Sequence, residues 1–362
     1  MIRRAACLAV VIALGGCKDP ILLHDLWDGG SGPDAGADHS AWWDPDAVCR
    51  TTQELHFKSQ SAEVLILLDR SSAMQGPLSG ATSRAAGVQN VLTKYINTHQ
   101  NYIKFGFEEF PDTDYPFSTC SHASCCAGAV VDPQYNVLKH LQQDMGYLDC
   151  SDPECLSGSP DSPSHKALGV ANDYFNKQNP TKDSEQYVLL ITASEPACAS
   201  EGSANDACHT ATTAATGLVV DQEIPLVILT VGYQPSGSSC LVTLSNLGSK
   251  VAVPGAVPRL SSATNLDLLD GTILNLFDGI GDSLCTLSTN DPVPVDANLS
   301  VWLAYTYTQV PRVDCGPADG WCFPSANHNQ ITLLGRYCDS YLNMQQNGIY
   351  VTYPSCDSTS RP

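Results

Sequence analysis

Short apolar runs alternate with segments of helical periodicity through the middle of the chain. A continuous apolar run predicts a strand buried on both faces, because such a strand has no polar side. The runs are Val64–Leu68, Ile103–Phe107, Tyr187–Thr192, Leu226–Val231 and the shorter Val251–Val253. Predicted helices lie around Val88–Ile96 and over Ser164–Phe175, 207–221, Leu241–Leu247 and 264–281. Strands separated by helices predict an α/β fold with a doubly wound, mostly parallel sheet.

The pattern changes in two places. Residues 111–160 form a cysteine-rich, irregular insertion, with one helical piece predicted around Tyr135–Leu141. After Cys285, aromatic and alternating segments predict a small β-rich C-terminal module over residues 286–362. Its predicted strands are Leu299–Leu303, Tyr305–Thr308, Ile331–Leu333 and Ile349–Tyr353. We therefore expect one domain over residues 49–285, which contains the insertion, and a second, smaller module after it.

The N-terminus carries the features of an export signal. Arg3 and Arg4 precede the apolar stretch Ala5–Leu14, which is too short to span a bilayer comfortably. The segment Leu14-Gly15-Gly16-Cys17 resembles the lipobox of bacterial lipoproteins. The resemblance implies a signal peptide over residues 1–16, a lipid on Cys17 and, over residues 17–48, a flexible Gly/Pro/Asp-rich tether. An ordinary secretory peptide with a chance cysteine at the cleavage site is the alternative.

The resemblance to a lipobox predicts that the protein is located in the bacterial cell envelope. Lys18 follows Cys17, where some bacteria use Asp to retain lipoproteins in the inner membrane. This favours the outer membrane, and we expect membrane contact through the lipid anchor only. The formal net charge of −20, which becomes −22 without the signal peptide, opposes nucleic-acid binding.

The chain has 16 cysteines, which indicates an oxidising compartment. Cys7 leaves with the signal peptide and Cys17 carries the lipid. An even number remains for disulfides, although the sequence does not determine their pairing. Zinc at the 120–126 or 150–155 cluster is the alternative, but the usual C-x2-C spacing is absent. The disulfide candidates are Cys49, Cys120, Cys125, Cys126, Cys150, Cys155, Cys198, Cys208, Cys240, Cys285, Cys315, Cys322, Cys338 and Cys356.

A set of motifs at the predicted strand ends resembles the von Willebrand factor type A (VWFA) family. The turn Asp69-Arg70-Ser71-Ser72-Ala73 is similar to the family's D-x-S-x-S turn, and Leu189–Ala193 is similar to its L-x-I-T-D strand. The resemblance covers about residues 60–283 and has three further elements, in the family's order. They are Phe105-Gly106-Phe107, Phe110-Pro111 and Ser162-Pro163-Ser164.

The resemblance implies a metal-ion-dependent adhesion site, at which Mg²⁺ or Mn²⁺ accepts a carboxylate from a partner. The family pattern falls on Asp69, Ser71, Ala73, Ser162 and Ala193, and two of these five positions depart from it. Ala73 lacks the second hydroxyl of the turn, and Ala193 lacks the second carboxylate. One interpretation is a degenerate site without metal. The other is a weak site in which Glu195 or Asp161 supplies the missing carboxylate.

The leading functional prediction is a lipid-anchored envelope protein that binds a protein partner through its VWFA-like domain, without enzymatic activity or a cofactor. No nucleophile elbow, HExxH, Walker or GxGxxG motif is present. The alternatives are a structural envelope component without a discrete ligand, and a divergent hydrolase that uses Ser164 or Asp69. The neighbouring Glu108 and Glu109 are interpreted as a solvated strand end, with a functional carboxylate pair as the alternative.

Overall fold

The structure is a computed structural model in which residues 52–354 form one compact unit. The residues described are 51–57, 61–111, 125–128, 130–138, 161–178, 184–198, 203–247, 253–288, 299–303, 306, 308–324, 330–343 and 349–355. The predicted signal peptide, lipidation site and tether lie outside them, as does most of the insertion. Five candidate cysteines also lie outside: Cys49, Cys120, Cys150, Cys155 and Cys356.

The main sheet has six strands in the order β4-β3-β2-β5-β6-β7. All neighbours are parallel except β4, which runs antiparallel to β3 at one edge. This arrangement confirms the predicted doubly wound, mostly parallel α/β fold. The six strands are β2 (Ser61–Asp69), β3 (Ile103–Phe110), β4 (Val131–Gln134), β5 (Ser184–Thr192), β6 (Leu226–Val231) and β7 (Leu260–Ala263). The preceding strand, β1 (Thr51–Phe57), belongs to another sheet.

Helices cover both faces of the sheet, and several of them begin at side-chain caps that the sequence supplies. Ser83 accepts the Ala86 N–H at the start of α1, and Ser203 forms a capping box with Asp206 at the start of α3. Asn265 caps α5 through the Leu268 N–H. The helices are α1 (Arg84–His99), α2 (Ser164–Gln178), α3 (Ala204–Thr216), α4 (Cys240–Ser245) and α5 (Leu266–Leu284). A π-helical turn, Gly217–Asp221, extends α3.

The segment after Cys285 forms small antiparallel sheets and one helix. Strand β12 lies between β8 and β11, and β9 lies between β10 and β13, with β1 pairing to the outer side of β13. The predicted disulfide-rich β module is therefore present, with disulfides Cys285–Cys338 and Cys315–Cys322. Its elements are β8 (Thr286–Ser288), β9 (Ser300–Leu303), β10 (Thr308–Val310), β11 (Gly320–Cys322), β12 (Gln330–Leu334), α6 (Arg336–Asn343) and β13 (Ile349–Ser355).

Several predicted elements differ from those observed. The edge strand of the main sheet is Leu260–Ala263, whereas Val253 of the predicted strand Val251–Val253 lies outside any strand. The strand predicted at Tyr305–Thr308 lies later, as β10, and helix α6 was not predicted. Around Tyr135–Leu141, residues 135–137 form a turn after β4 and residues beyond 138 lie outside the described part.

Each face of the main sheet contributes to its own buried cluster. Alternate residues of β2 separate accordingly: Val64 and Ile66 belong to the cluster with α1 and α5, and Leu65 and Leu67 to the cluster with α2, α3 and α4. The first cluster continues into the C-terminal segment, where Trp321 is among its buried residues. Residues on both sides of Cys285 therefore share one core, and the limit drawn there from sequence remains a proposal.

Phe277 on α5 lies at the centre of the first cluster. It is fully buried, and its ring centroid lies 5.0 Å from that of Phe105 and 5.7 Å from that of His99. We predict that Phe277→Ala lowers the free energy of unfolding by about 3–5 kcal/mol, through lost burial and the cavity left behind. Urea denaturation of the oxidised chain measures this, with the 54% exposed Val220 changed to Ala as the control. Equal loss in both variants would contradict the prediction.

Candidate functional site

The candidate site lies where the order of the parallel strands reverses. From β2, the chain passes to β3 on one side, and β5 is the neighbour on the other side. Ligands of doubly wound folds bind outside the carboxyl ends of the strands at such a switch point. Asp69 ends β2 and Thr192 ends β5, so the predicted motifs converge at this position.

The Asp69 carboxylate is buried and accepts hydrogen bonds from three separate chain segments. The Ser71 N–H donates to Oδ1 at 2.8 Å. Oδ2 accepts from the Thr192 hydroxyl at 2.6 Å, the Ser162 hydroxyl at 3.0 Å and the Ala193 N–H at 3.3 Å. Of the predicted site residues, the structure thus brings Asp69, Ser71, Ser162 and Ala193 together. Thr192 is a further member, whose role the sequence motif did not indicate.

Burial and hydrogen bonding act in opposite directions on Asp69. Burial raises the pKa of its carboxyl, and the hydrogen bonds from Thr192, Ser71 and Ser162 lower it by a smaller amount. The net pKa lies above the ordinary value of 3.8. The stability that this group contributes is therefore complete below that pH and is lost as pH rises through the raised pKa. At neutral pH, the donors compensate part of the cost of burying a charge.

The two alanine positions supply backbone groups instead of metal ligands. The Ala73 carbonyl accepts a hydrogen bond from the Arg84 Nη1 at 2.9 Å, and the Ala193 N–H faces the Asp69 carboxylate. The Ser71 hydroxyl is buried close to the same carboxylate and has no hydrogen-bond partner among the described residues. The site therefore has a single carboxylate, and protein donors already occupy both of its oxygens.

Glu195 is held in another role. Its Oε1 accepts the Tyr233 hydroxyl at 2.8 Å, and its Oε2 accepts the N–H groups of Cys240 and Leu241 at 2.9 and 3.2 Å. Glu195 thus caps α4 and links the loop after β5 to the loop after β6. Three donors occupy its carboxylate in this arrangement, and the replacement of the missing metal ligand by Glu195 stays a prediction.

Asp161, the other proposed replacement for the missing carboxylate, directly precedes Ser162 in sequence. It is buried, with its Oδ2 3.8 Å from the Sγ of the disulfide-bonded Cys125. Among the described residues, no group of three or more His, Cys, Asp or Glu side chains is arranged to hold a metal ion. Mg²⁺ requires several oxygen ligands and depends on carboxylate charge. The residues present therefore do not fit the metal that the family resemblance implies.

Two disulfides tie the loops of the main domain together. Cys125–Cys198 joins the insertion to the loop after β5, and Cys208–Cys240 joins α3 to α4. The Ala197 N–H in the first of these loops also donates to the Ser162 carbonyl at 2.9 Å. Cys125 is thereby committed to a disulfide and is not available as a zinc ligand. Cys126 beside it is buried.

The residues of the hydrolase alternative are inaccessible. Ser164 and His165 begin α2 and are both buried, and the Ser164 hydroxyl has no hydrogen-bond partner among the described residues. A nucleophile must reach its substrate, and neither side chain is open to one in this arrangement.

Glu108 and Glu109 are both buried, so the prediction of a solvated strand end is wrong. They point to opposite faces of β3. Glu109 Oε2 accepts the Arg70 Nη1 at 2.7 Å in a buried ion pair. Glu108 has no hydrogen-bond partner for either carboxyl oxygen among the described residues, and burial raises its pKa well above the ordinary 4.5.

Comparisons with known proteins yield distant structural likenesses. No protein-family model matches the chain, and no curated protein matches it. The pilus adhesin SpaC from Lactobacillus rhamnosus GG is 11% identical, with a TM-score of 0.44 over 83% of this chain and 40% of the adhesin. The chain thus spans less than half of that protein.

Two other solved structures are similar at the same identity. The mussel byssus proximal thread matrix protein 1 with a zinc-occupied MIDAS motif is 11% identical, with a TM-score of 0.38 over 66% of this chain and 51% of that one. The manganese-loaded Plasmodium vivax TRAP protein is 11% identical, with a TM-score of 0.40 over 62% and 76%. All three TM-scores lie below 0.5. The strand order of the main sheet defines the fold without them.

The hydrogen bonds that occupy the Asp69 carboxylate lead to a testable prediction for metal binding. We expect isothermal titration of the oxidised chain with Mg²⁺ or Mn²⁺ to show no saturable binding. The double variant Ala73→Ser, Ala193→Asp restores the missing oxygen donors and should gain binding, since it adds a second carboxylate. Saturable micromolar binding by the unmodified chain, lost in Asp69→Ala, would contradict the prediction.

Glu108 and Glu109 provide a matched pair for a second prediction. The raised pKa means that Glu108 destabilises the fold as pH rises above 4.5, by up to about 1.4 kcal/mol per pH unit. Glu108→Gln should therefore match the parent chain at pH 4 and exceed its unfolding free energy at pH 8. Glu109→Gln removes the carboxylate that pairs with the buried Arg70 and should cost about 3–5 kcal/mol at pH 8. Denaturation at both pH values tests this, and destabilisation by Glu108→Gln at pH 8 would contradict it.

Proposed function

We propose that this chain is an exported, lipid-anchored protein of the bacterial cell envelope that binds other proteins through its VWFA-like domain without using a metal. The observation that carries the proposal is the Asp69 network. The position that resembles a metal site is filled by internal hydrogen bonds, while the loops around it remain part of the exposed edge of the sheet. The outer membrane is the proposed location of the anchor.

Two independent features support the envelope location. The Leu14–Cys17 segment resembles a lipobox. The described residues contain four disulfides, which persist in oxidising compartments and are rare in the cytosol. No described helix is long and apolar enough to cross a membrane. In the proposed arrangement, the lipid on Cys17 holds the protein at the membrane surface.

A binding role is favoured over catalysis by the chemistry of the site. The potential nucleophile Ser164 and the potential base His165 are buried, and Asp69 is fully engaged by protein donors. Loops held on a rigid sheet are, in contrast, a common location for binding residues. We therefore propose no enzymatic activity and no cofactor.

The proposal predicts a partner whose capture does not depend on divalent cations. The full-length tagged chain is expressed in its native host, cross-linked in the intact cell and purified with either EDTA or Mg²⁺ throughout. We expect the same cross-linked protein in both preparations. Capture only with Mg²⁺ would refute the metal-free mode, and no cross-linked protein in either preparation would favour a structural component without a ligand.

The control for this experiment is Cys17→Ser, which removes the thiol that accepts the lipid. We expect this variant to leave the membrane fraction, since the lipid on Cys17 is the membrane contact that we propose. A Cys17→Ser variant that stays in the membrane fraction would contradict the proposed anchoring.

A further inference from the structure

Backbone hydrogen bonds fix the side chain of Arg84 at the exposed edge of the sheet. It is the first residue of α1 and is half-buried. Its Nη1 donates to the Ala73 carbonyl at 2.9 Å, and its Nη2 donates to the Gly232 carbonyl at 2.8 Å. The guanidinium therefore spans the loop after β2 and the loop after β6.

Glycine at two positions makes room for this guanidinium. A Cβ atom on Gly76 would lie 2.9 Å from the Arg84 Cζ, and one on Gly232 would clash with the Arg84 Nε. Gly232 also has a φ of 64°, which favours glycine. The carbonyls of Ala73 and Gly232 therefore hold the guanidinium in one orientation, in the space left by the missing side chains of Gly76 and Gly232.

No carboxylate pairs with Arg84 in the described part of the chain. Arg70, Lys94, Lys104 and Arg336 each form an ion pair with Asp or Glu. Arg84 contacts backbone carbonyls only, and its buried Nε has no acceptor. A guanidinium has five N–H donors, and besides the buried Nε–H the two carbonyl bonds leave one N–H on each Nη atom uncommitted.

The loops around Arg84 contain no other charged residue. Residues 71–83 and 232–239 have no Asp, Glu, Lys, Arg or His, although the whole chain has 38 acidic residues. We call these two segments, together with Arg84, the neutral rim. Gln75, Pro77 and Gln234 are exposed on it. Loops rich in Gly, Ser and Tyr, with Arg among the residues that contribute most to binding, form the recognition surfaces of antibodies.

Hydrogen bonds bring the segments of the neutral rim together. The Arg84 N–H donates to the Gly76 carbonyl at 2.9 Å, and the Gly232 N–H donates to the Ala263 carbonyl at 2.7 Å. The Ser79 carbonyl accepts the Leu266 N–H at 2.8 Å, which fixes the β2 loop against the start of α5. The rim is thus one surface supported by α1, α5 and two strand ends.

We propose that the neutral rim binds a segment of a partner protein through an Asp or Glu side chain that pairs with Arg84. This inference rests on the proposed protein-binding function and assigns it a surface and a partner chemistry. Charge complementarity carries it, because a fixed cation without a counter-ion in a neutral surface favours an incoming carboxylate. The orientation of Arg84 is already restricted, so pairing costs little side-chain entropy.

The experiment is a selection of displayed random dodecapeptides on the oxidised mature chain. Three baits are used in parallel: the parent chain, Arg84→Gln and, as a matched control, Arg312→Gln. The Arg312 guanidinium lies over the rings of Trp321 and Phe323 in the C-terminal segment. We expect the parent and Arg312→Gln baits to enrich peptides with an acidic residue at one fixed position, and Arg84→Gln to lose that enrichment.

Affinity measurements then assign the contact. Changing the selected Asp to Asn, or Glu to Gln, should weaken binding to the parent chain at least tenfold and leave binding to Arg84→Gln unchanged. Arg84→Lys keeps the charge but loses the planar fork, and should bind with intermediate affinity. Thermal unfolding of each variant shows whether it is folded, and Arg84→Lys carries the comparison if Arg84→Gln is not.

The remaining outcomes each decide a separate point. Enriched peptides without a shared acid, or with equal affinity for the parent chain and Arg84→Gln, would overturn the Arg84 assignment while a binding function stands. No enrichment on any bait would overturn the neutral rim as a docking surface. Cross-linking in the native host tests the wider function by itself, since it uses neither peptides nor Arg84 variants.

Discussion

The hydrogen bonding of one buried carboxylate organises the carboxyl edge of the main sheet. Asp69 joins the turn after β2, the start of α2 through Ser162, and the end of β5 through Thr192. Ser162 and Thr192 are distant from Asp69 in sequence, so these hydrogen bonds tie the three loops to one another. The Ser162 carbonyl extends the arrangement by accepting the Ala197 N–H, next to the disulfide at Cys198.

Three carboxylates near this edge show three ways of burying an acid. Asp69 is compensated by neutral donors, and Glu109 by the guanidinium of Arg70. Glu108 has no hydrogen-bond partner among the described residues, and its raised pKa favours the neutral form. A metal ion would be a fourth way, but it requires more than one acid at the same point. The acids here are instead separated onto different faces and loops.

The sequence predicted the elements whose signal is local. Continuous apolar runs identify β2, β3, β5 and β6, because central parallel strands are buried on both faces. Edge strands lack that signal. Strand β4 contains Asp132 and Pro133, and β7 contains two serines, so neither stands out from a loop. An apolar segment near β7, Val251–Val253, was therefore taken for the strand.

The sequence predicted only those site residues that belong to the family motifs. Asp69, Ser71, Ser162 and Ala193 meet as the family resemblance implies, because the strand order brings their loops together. The role of Glu195 was not predictable, since its donors come from the β6 loop and α4 some 40 residues later. For the same reason, Arg84 carries no sequence signal: its acceptor at Gly232 is separated from it by 148 residues.

Charge distribution connects the closed site with the surface beside it. The chain is strongly acidic, yet the loops after β2 and β6 carry no acid, and the one acid that ends β2 is buried and satisfied. An exposed acid in these loops would pair with Arg84 and remove its free charge. Neither loop therefore offers Arg84 a carboxylate, and Glu195 of the neighbouring β5 loop is already engaged by Tyr233, Cys240 and Leu241. The acids Asp69 and Glu195 are therefore both engaged by protein donors at this edge, whereas Arg84 has no carboxylate partner among the described residues.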